Sequence, residues 1–319
     1  MDFFRYNKAM NEMNETQIPE NQPPVGPKSA LVTIIGRPSA GKSTFLNTAA
    51  GEPVSIVSPM PQTTRNAIRG IVNTSLGQLV FVDTPGYHDS EKKMNLKMRT
   101  IVTEQLDSSD LILYIIDTSR NCAEEERLIA ELLKNHQDKT VIALNKIDAP
   151  RPLLEHVRKF LKVHMPDVPQ ERIFEVSAKE DRGINEVLKA LYDMAGEGDH
   201  LYPEEVYTDQ EVDFRIAEVI REQAINRLDQ EVPHAVYVQI ADLEQRSPEK
   251  MWCRAFLCVE KESQKGILIG KKAQMIKTIR LESMKQLNRI FDYKIDLDLQ
   301  VKVDKNWRQR DATLNKLLK

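Results

Sequence analysis

The stretch Ala30-Leu31-Val32-Thr33-Ile34-Ile35-Gly36-Arg37-Pro38-Ser39-Ala40-Gly41-Lys42-Ser43 decides the fold. An apolar, β-branched run ends on glycine, a short loop follows, and a helical pattern opens at Thr44. This is GxxxxGK[ST] in the strand–loop–helix setting that the motif requires. Its glycines let the loop backbone close around phosphates, and the helix N-terminus adds positive potential. Gly36, Arg37, Pro38, Ser39, Ala40, Gly41, Lys42, Ser43 and Thr44 therefore form the expected phosphate cradle. Lys42 is expected to reach the β- and γ-phosphates and Ser43 to ligate Mg²⁺.

Working outward, apolar runs alternate with helical patterns from Ala30 to about Ala195. The further runs are 78–86, 111–117, 140–148 and 173–179, with helical stretches such as 124–136 and 153–164 between them. Short β-rich runs interleaved with amphipathic helices predict an α/β domain, a mostly parallel sheet with helices on both faces. Only one phosphate-loop string occurs, which excludes a protein with two such domains.

Three further strings stand at run ends. Asp83-Thr84-Pro85-Gly86 suits a water-mediated Mg²⁺ contact through Asp83 and a γ-phosphate contact through the Gly86 N–H. Asn145-Lys146-Ile147-Asp148 selects the base: guanine offers two adjacent N–H donors, which a carboxylate accepts as a pair, whereas adenine does not. Ser177-Ala178-Lys179 places the Ala178 N–H where guanine O6 needs a donor. The expected cofactors are thus GTP/GDP and Mg²⁺.

Composition excludes other classes. The chain has 319 residues, a formal charge of −3 and three cysteines, none in a CxxC pair. Disulfide and zinc frameworks are thereby disfavoured, and a reducing compartment fits. No apolar run approaches membrane-spanning length, and residues 1–28 read as a polar, disordered leader without an export signal. The sum of −3 hides a split, with −11 over residues 1–253 and +8 over 254–319. A basic end suggests a polyanionic partner.

The pattern changes after 196. Residues 197–210 read as a linker and 211–230 as a long amphipathic helix. Two strands follow, then a loop running into a basic helix from about 266, then the alternating strand 294–303. Trp307 to Lys319 reads as a short basic helix that packs on the sheet, contacts RNA or touches anionic lipid. Both tryptophans read as packing residues, and His88 as an exposed histidine.

The four nucleotide strings, Pro61-Gln62-Thr63-Thr64-Arg65-Asn66 and the C-terminal order resemble translation-factor-related GTPases, specifically the bacterial Era family, over about residues 29–319. The resemblance implies a G domain (29–196), the 197–210 linker and a type II KH domain with a C-terminal helix (211–319). It maps the switch Mg²⁺ and γ-phosphate ligand to Thr64, with Thr63 its close competitor, so the implied catalytic set is Lys42, Thr64 and Gly86. It also places Ile269, Gly270, Lys271, Lys272 and Ala273 at a GxxG-type loop that clamps single-stranded RNA, flanked by Lys277 and Arg280. Ala273 stands where the second glycine is usual; a helical backbone there accommodates alanine, and a positive φ strains it.

Two departures are visible. Ras-like GTPases carry Gln where this chain has Tyr87, so slow unaided hydrolysis is expected. Relatives often carry Asn at the Ser39 position, where it helps hold a monovalent cation, so the resemblance leaves a potassium requirement open. The implied partners are the single-stranded 3′ region of 16S rRNA and the small ribosomal subunit, for a monomer in the cytoplasm with peripheral membrane contact as an implied addition. A nucleotide-gated membrane-surface or signalling adaptor is the competing reading.

Overall fold

The computed structural model describes residues 26–61, 63–87 and 93–318. Most of the leader, as well as Gln62, His88 and part of the second switch, lie outside the described residues. The chain forms two compact units. The first gathers residues 26–55, 67–87 and 99–209, and the second gathers 56–66, 93–98 and 210–318.

The first unit is built on β1 (Lys28–Ile35), β2 (Ile68–Thr74), β3 (Gly77–Asp83), β4 (Leu111–Asp117), β5 (Thr140–Asn145) and β6 (Ile173–Val176), in the order β2-β3-β1-β4-β5-β6. All neighbours are parallel except β2, which runs antiparallel to β3 across a tight Ser75-Leu76 connection. A two-residue strand, β7 (Gly196–Glu197), pairs antiparallel with the start of β1. Every residue of β3, β4 and β5 is buried, as expected for strands covered on both faces.

Five helices provide that cover: α1 (Lys42–Ala50), α2 (Lys93–Ser108), α3 (Glu124–Leu132), α4 (Leu154–His164) and α5 (Ile184–Met194). Val102 and Leu106 of α2, Ile129 of α3 and Val157 and Leu161 of α4 pack with Ile112, Tyr114, Ile116, Ile142 and Leu144. Strand side chains alternate with period two, so Leu113 and Ile115 face the other layer, where α1 and α5 lie against β1, β3 and β5.

The stretch read as a linker is tied along β2. Tyr207 O accepts from Ile71 N–H at 2.9 Å, and Gln78 Oε1 accepts from the N–H groups of Leu201 and Tyr202 at 2.8 and 2.9 Å. Arg69 pairs with Asp209 at 3.0 Å. An exposed strand edge attracts such partners because its N–H and C=O groups are otherwise left to water.

The second unit contains α6 (Val212–Ile225), α7 (Val232–Ala235), β8 (Tyr237–Ser247), β9 (Lys250–Val259), α8 (Glu262–Ile269), α9 (Gln274–Ile290), β10 (Lys294–Val303) and α10 (Asp311–Leu317). Its sheet has the order β10-β9-β8, with β10 parallel and β8 antiparallel to β9. Ile216 and Ile220 of α6, Leu268 of α8 and Ile279 and Leu287 of α9 bury one sheet face with Cys253, Ala255, Leu257, Ile295 and Leu297. Residues 262–269 are helical, whereas the sequence suggested a loop leading directly to the basic helix. Gln264 closes this helix start by accepting from the N–H groups of Glu260 and Lys261 at 3.0 Å. Trp307 packs with Tyr237, Cys258 and Leu314, and its indole N–H donates to Ala235 O at 2.9 Å. The terminal helix therefore packs on this unit through Leu314.

Candidate functional site

The phosphate loop joins β1 to α1. Gly41 caps α1 at φ 98°, a left-handed value, and a Cβ there would lie 2.2 Å from Asn145 Nδ2. Ser39 also takes positive φ, 62°. Lys42 Nζ donates to Gly36 O at 3.1 Å and Arg37 O at 3.3 Å, which holds the ammonium across the loop. Burial pulls the Lys42 ammonium below its usual range, and nearby Asp83 opposes that shift. A buried cation so placed favours a ligand of high negative charge.

Ser43 Oγ donates to Asp83 Oδ2 at 2.6 Å, and the buried Ser55 Oγ donates to the same oxygen at 2.8 Å. Sequence reasoning missed Ser55. Its place is fixed by Asn47 of α1, whose side chain accepts from Ser55 N–H at 2.8 Å and donates to Ser55 O at 2.7 Å. Hydroxyl and carboxylate oxygens gathered in this way are the hard donor set that Mg²⁺ takes. Thr84 Oγ is spent on Ile34 O at 2.7 Å. Gly86 is needed for close approach, since a Cβ would fall 2.7 Å from the Pro38 backbone. Tyr87, at the position of the Ras-like glutamine, is buried beside Ile35 and Val102.

On the base side, Asn145 Nδ2 donates to Ala40 O at 2.8 Å and Asn145 Oδ1 accepts from Ala178 N–H at 3.0 Å. One amide thus ties the phosphate loop to the Ser177-Ala178-Lys179 turn. The Ala178 N–H, expected to face the base, is directed at Asn145 because the amide oxygen lies within reach. Ser177 Oγ donates to Asp148 Oδ1 at 2.7 Å, and this bond holds the Asp148 carboxyl below the usual range. An ionised carboxylate at the sheet edge accepts two parallel N–H donors. Lys146 stands at φ 70°, with its ammonium on Asp117.

Thr64 is buried in the second unit, and Thr63 Oγ donates to Met60 O at 2.7 Å. The Arg65 guanidinium in that unit donates to Val236 O at 2.8 Å and lies over the Trp307 ring.

The loop between α8 and α9 resolves the question at Ala273. Gly270 has φ 69°, Lys272 φ 53° and Ala273 φ 58°, so alanine occupies a left-handed position that glycine tolerates better. Lys271 and Lys272 are exposed, and the loop opens onto the N-terminus of the 17-residue α9. Exposed ammonium groups beside a helix N-terminus give this corner a positive potential. Lys277 is exposed on α9. Arg280 turns to the sheet instead, donating to Leu297 O and pairing with Asp296 at 3.4 Å.

Comparison with known proteins agrees with both halves of this geometry. The model of the 50S ribosome-binding GTPase family matches residues 31–146, and that of the KH domain matches 231–308. The GTPase Era of Treponema denticola is 59% identical over 290 residues, which is 91% of this chain and 99% of that protein. The chain belongs to the Era family of GTPases. Era of Treponema pallidum is 45% identical over 311 residues, covering 92% of this chain and 98% of that protein. The crystal structure of Era from Aquifex aeolicus bound to GDP·AlF4⁻ matches with a TM-score of 0.85 at 31% identity, covering 91% of this chain and 98% of that one. Era in complex with MgGDPNP and nucleotides 1506–1542 of 16S ribosomal RNA matches with the same score, identity and coverage. The family thus joins a P-loop GTPase domain to a C-terminal KH domain, the two architectures seen in this chain. Among the described residues no helix is long and apolar enough to cross a membrane.

Proposed function

We propose that this Era-family GTPase is a molecular switch whose guanine nucleotide sits on the phosphate loop and whose KH loop grips single-stranded RNA. One observation carries the nucleotide half. The phosphate loop, the Ser43–Asp83 pair and the Asn145–Asp148–Ser177 group stand at the carboxyl ends of the parallel strands of one mostly parallel sheet, where α/β sheets bind ligands. Lys42 and the loop backbone hold the phosphates, with Gly86 at the γ end. Asp148 reads the guanine N–H pair, while Asn145, Lys146, Ala178 and Lys179 frame the base. Ser43 and Asp83 would supply oxygens for Mg²⁺. That ion supplies neutralisation of phosphate charge when bound.

Burial of Tyr87 in the core withholds it from an attacking water. Unaided turnover is therefore slow, about 10⁻⁴ to 10⁻² s⁻¹ as for unassisted GTPases. The exposed Lys271 and Lys272 beside Gly270 support the RNA half. The Era structure matched above holds 16S rRNA nucleotides 1506–1542. For this chain we infer the same class of target, the 3′ region of 16S rRNA during small-subunit assembly in the cytoplasm. The deciding experiment is Asp148→Asn, assayed by nucleotide competition. The variant loses GTP and gains xanthosine triphosphate; unchanged GTP affinity overturns the base assignment.

A further inference from the structure

At the end of β4, two successive side chains grip two successive residues of the base-binding string. Asp117 lies opposite Asn145 in the parallel β4–β5 pair. Lys146 Nζ donates to Asp117 Oδ2 at 2.8 Å, and the Thr118 N–H and Oγ both donate to Asn145 O, at 2.9 and 2.8 Å. The Asp117 carboxylate is fully buried, and its other oxygen accepts from Ser119 N–H at 2.9 Å and Ser119 Oγ at 2.6 Å. Arg37, the first variable residue of the phosphate loop, brings its guanidinium to 3.6 Å from the oxygen that takes Lys146. Glu126 holds that guanidinium from the far side at 3.1 Å.

A buried carboxylate is a poor device for stability, because its desolvation offsets most of the pairing energy. It is a good device for fixing a long, flexible side chain. Lysine loses much rotamer freedom when tethered, and here the tethered residue already stands in left-handed backbone. Burial pushes the Asp117 carboxyl up, but the Lys146 and Ser119 hydrogen bonds outweigh it and hold the group below its usual range.

We propose that Asp117 is a positioning residue of the nucleotide site: it fixes Lys146 of the base-binding string and, through Arg37, ties that string to the phosphate loop. This rests on the assignment of the base to Asn145–Asp148.

The test is a double-mutant cycle on the full chain, with Asp117→Asn and Lys146→Met made singly and together. The dissociation rate of methylanthraniloyl-GDP is read beside the melting midpoint. Each single change speeds release about tenfold, the range for losing a bond to a charged group, and the double variant is no faster than the faster single one. Rates that multiply in the double variant overturn the proposal, because Asp117 then acts without Lys146. Wild-type release from Lys146→Met also overturns it and needs no Asp117 variant to fold. The Asp148→Asn control separates the two levels. If that variant keeps its guanine preference, the base assignment fails; if its preference shifts while the cycle is multiplicative, only the role of Asp117 fails.

Discussion

The nucleotide cradle and the KH loop, the two sites proposed to meet phosphate, both combine lysines with left-handed loop backbone, yet they are built in opposite ways. In the cradle, Lys42 is buried, Asp83 and Asp117 are fully buried, and Asn145 joins two loops with one amide. In the KH loop, Lys271 and Lys272 are exposed and the local strain lies in the backbone of Lys272 and Ala273. The first arrangement suits recognition of one small ligand atom by atom, since a buried polar group left unpaired costs heavily. The second suits a polymer whose charge is read at the surface and screened by salt.

Four expected outcomes test that contrast. The largest effect is expected from Lys42→Met. Removing the buried ammonium lowers GTP affinity about 100-fold, the scale of a lost charge-assisted bond, and abolishes measurable hydrolysis. Nucleotide titration and phosphate release check both, and a change under threefold would place Lys42 outside the cradle. Next, replacing Lys271 and Lys272 together with alanine should weaken single-stranded RNA binding about tenfold while GDP affinity stays unchanged. The slope of log affinity against log salt should become shallower by about 1.4, from about 0.7 per phosphate contact. An unaltered slope would mean that neither lysine meets a phosphate.

Ala273→Gly should act on stability. It relieves a left-handed alanine at about 1 to 2 kcal/mol, less the extra freedom glycine gains when unfolded, for a net gain of about 0.5 to 1 kcal/mol. A melt of the C-terminal unit should shift upward by a few °C, and a lower midpoint would show that the loop is not strained at this position. The smallest effect is expected from mild acid. Asp148 and Asp117 are both held below the usual carboxylate range. A group with depressed folded pKa contributes above its unfolded pKa and loses that contribution only as pH falls through the folded value. Guanine selectivity should therefore persist from pH 7 to about 5 and fade only below about 4. Loss of selectivity near pH 6 would assign it to another group.

The legible and illegible parts of the site differ in physical kind. Gly36, Gly41, Lys42, Asp83, Asn145 and Asp148 stand in strings whose spacing is imposed by a single loop or strand end, so the sequence displays them. Ser55, Asn47, Asp117 and Thr118 belong to no string, because each reaches its partner across the sheet or from a neighbouring helix. Strand β2 escaped notice because Gly70 interrupts its apolar run and its antiparallel return needs only a two-residue turn. Helix α8 was hidden by the glycines at 266 and 270 that flank its last turn.

The α/β order, the phosphate loop, the Asn145–Asp148 string at the end of β5 and the basic C-terminal end are all legible in the sequence. Periodicity and local spacing encode all of these. Only the folded chain shows that Ala273 is left-handed, that Arg280 turns to the sheet, that Ala178 serves Asn145 and that Asp117 holds Lys146. Each of these depends on which side chains the fold brings within hydrogen-bond distance, and neighbours in space are not neighbours in the chain.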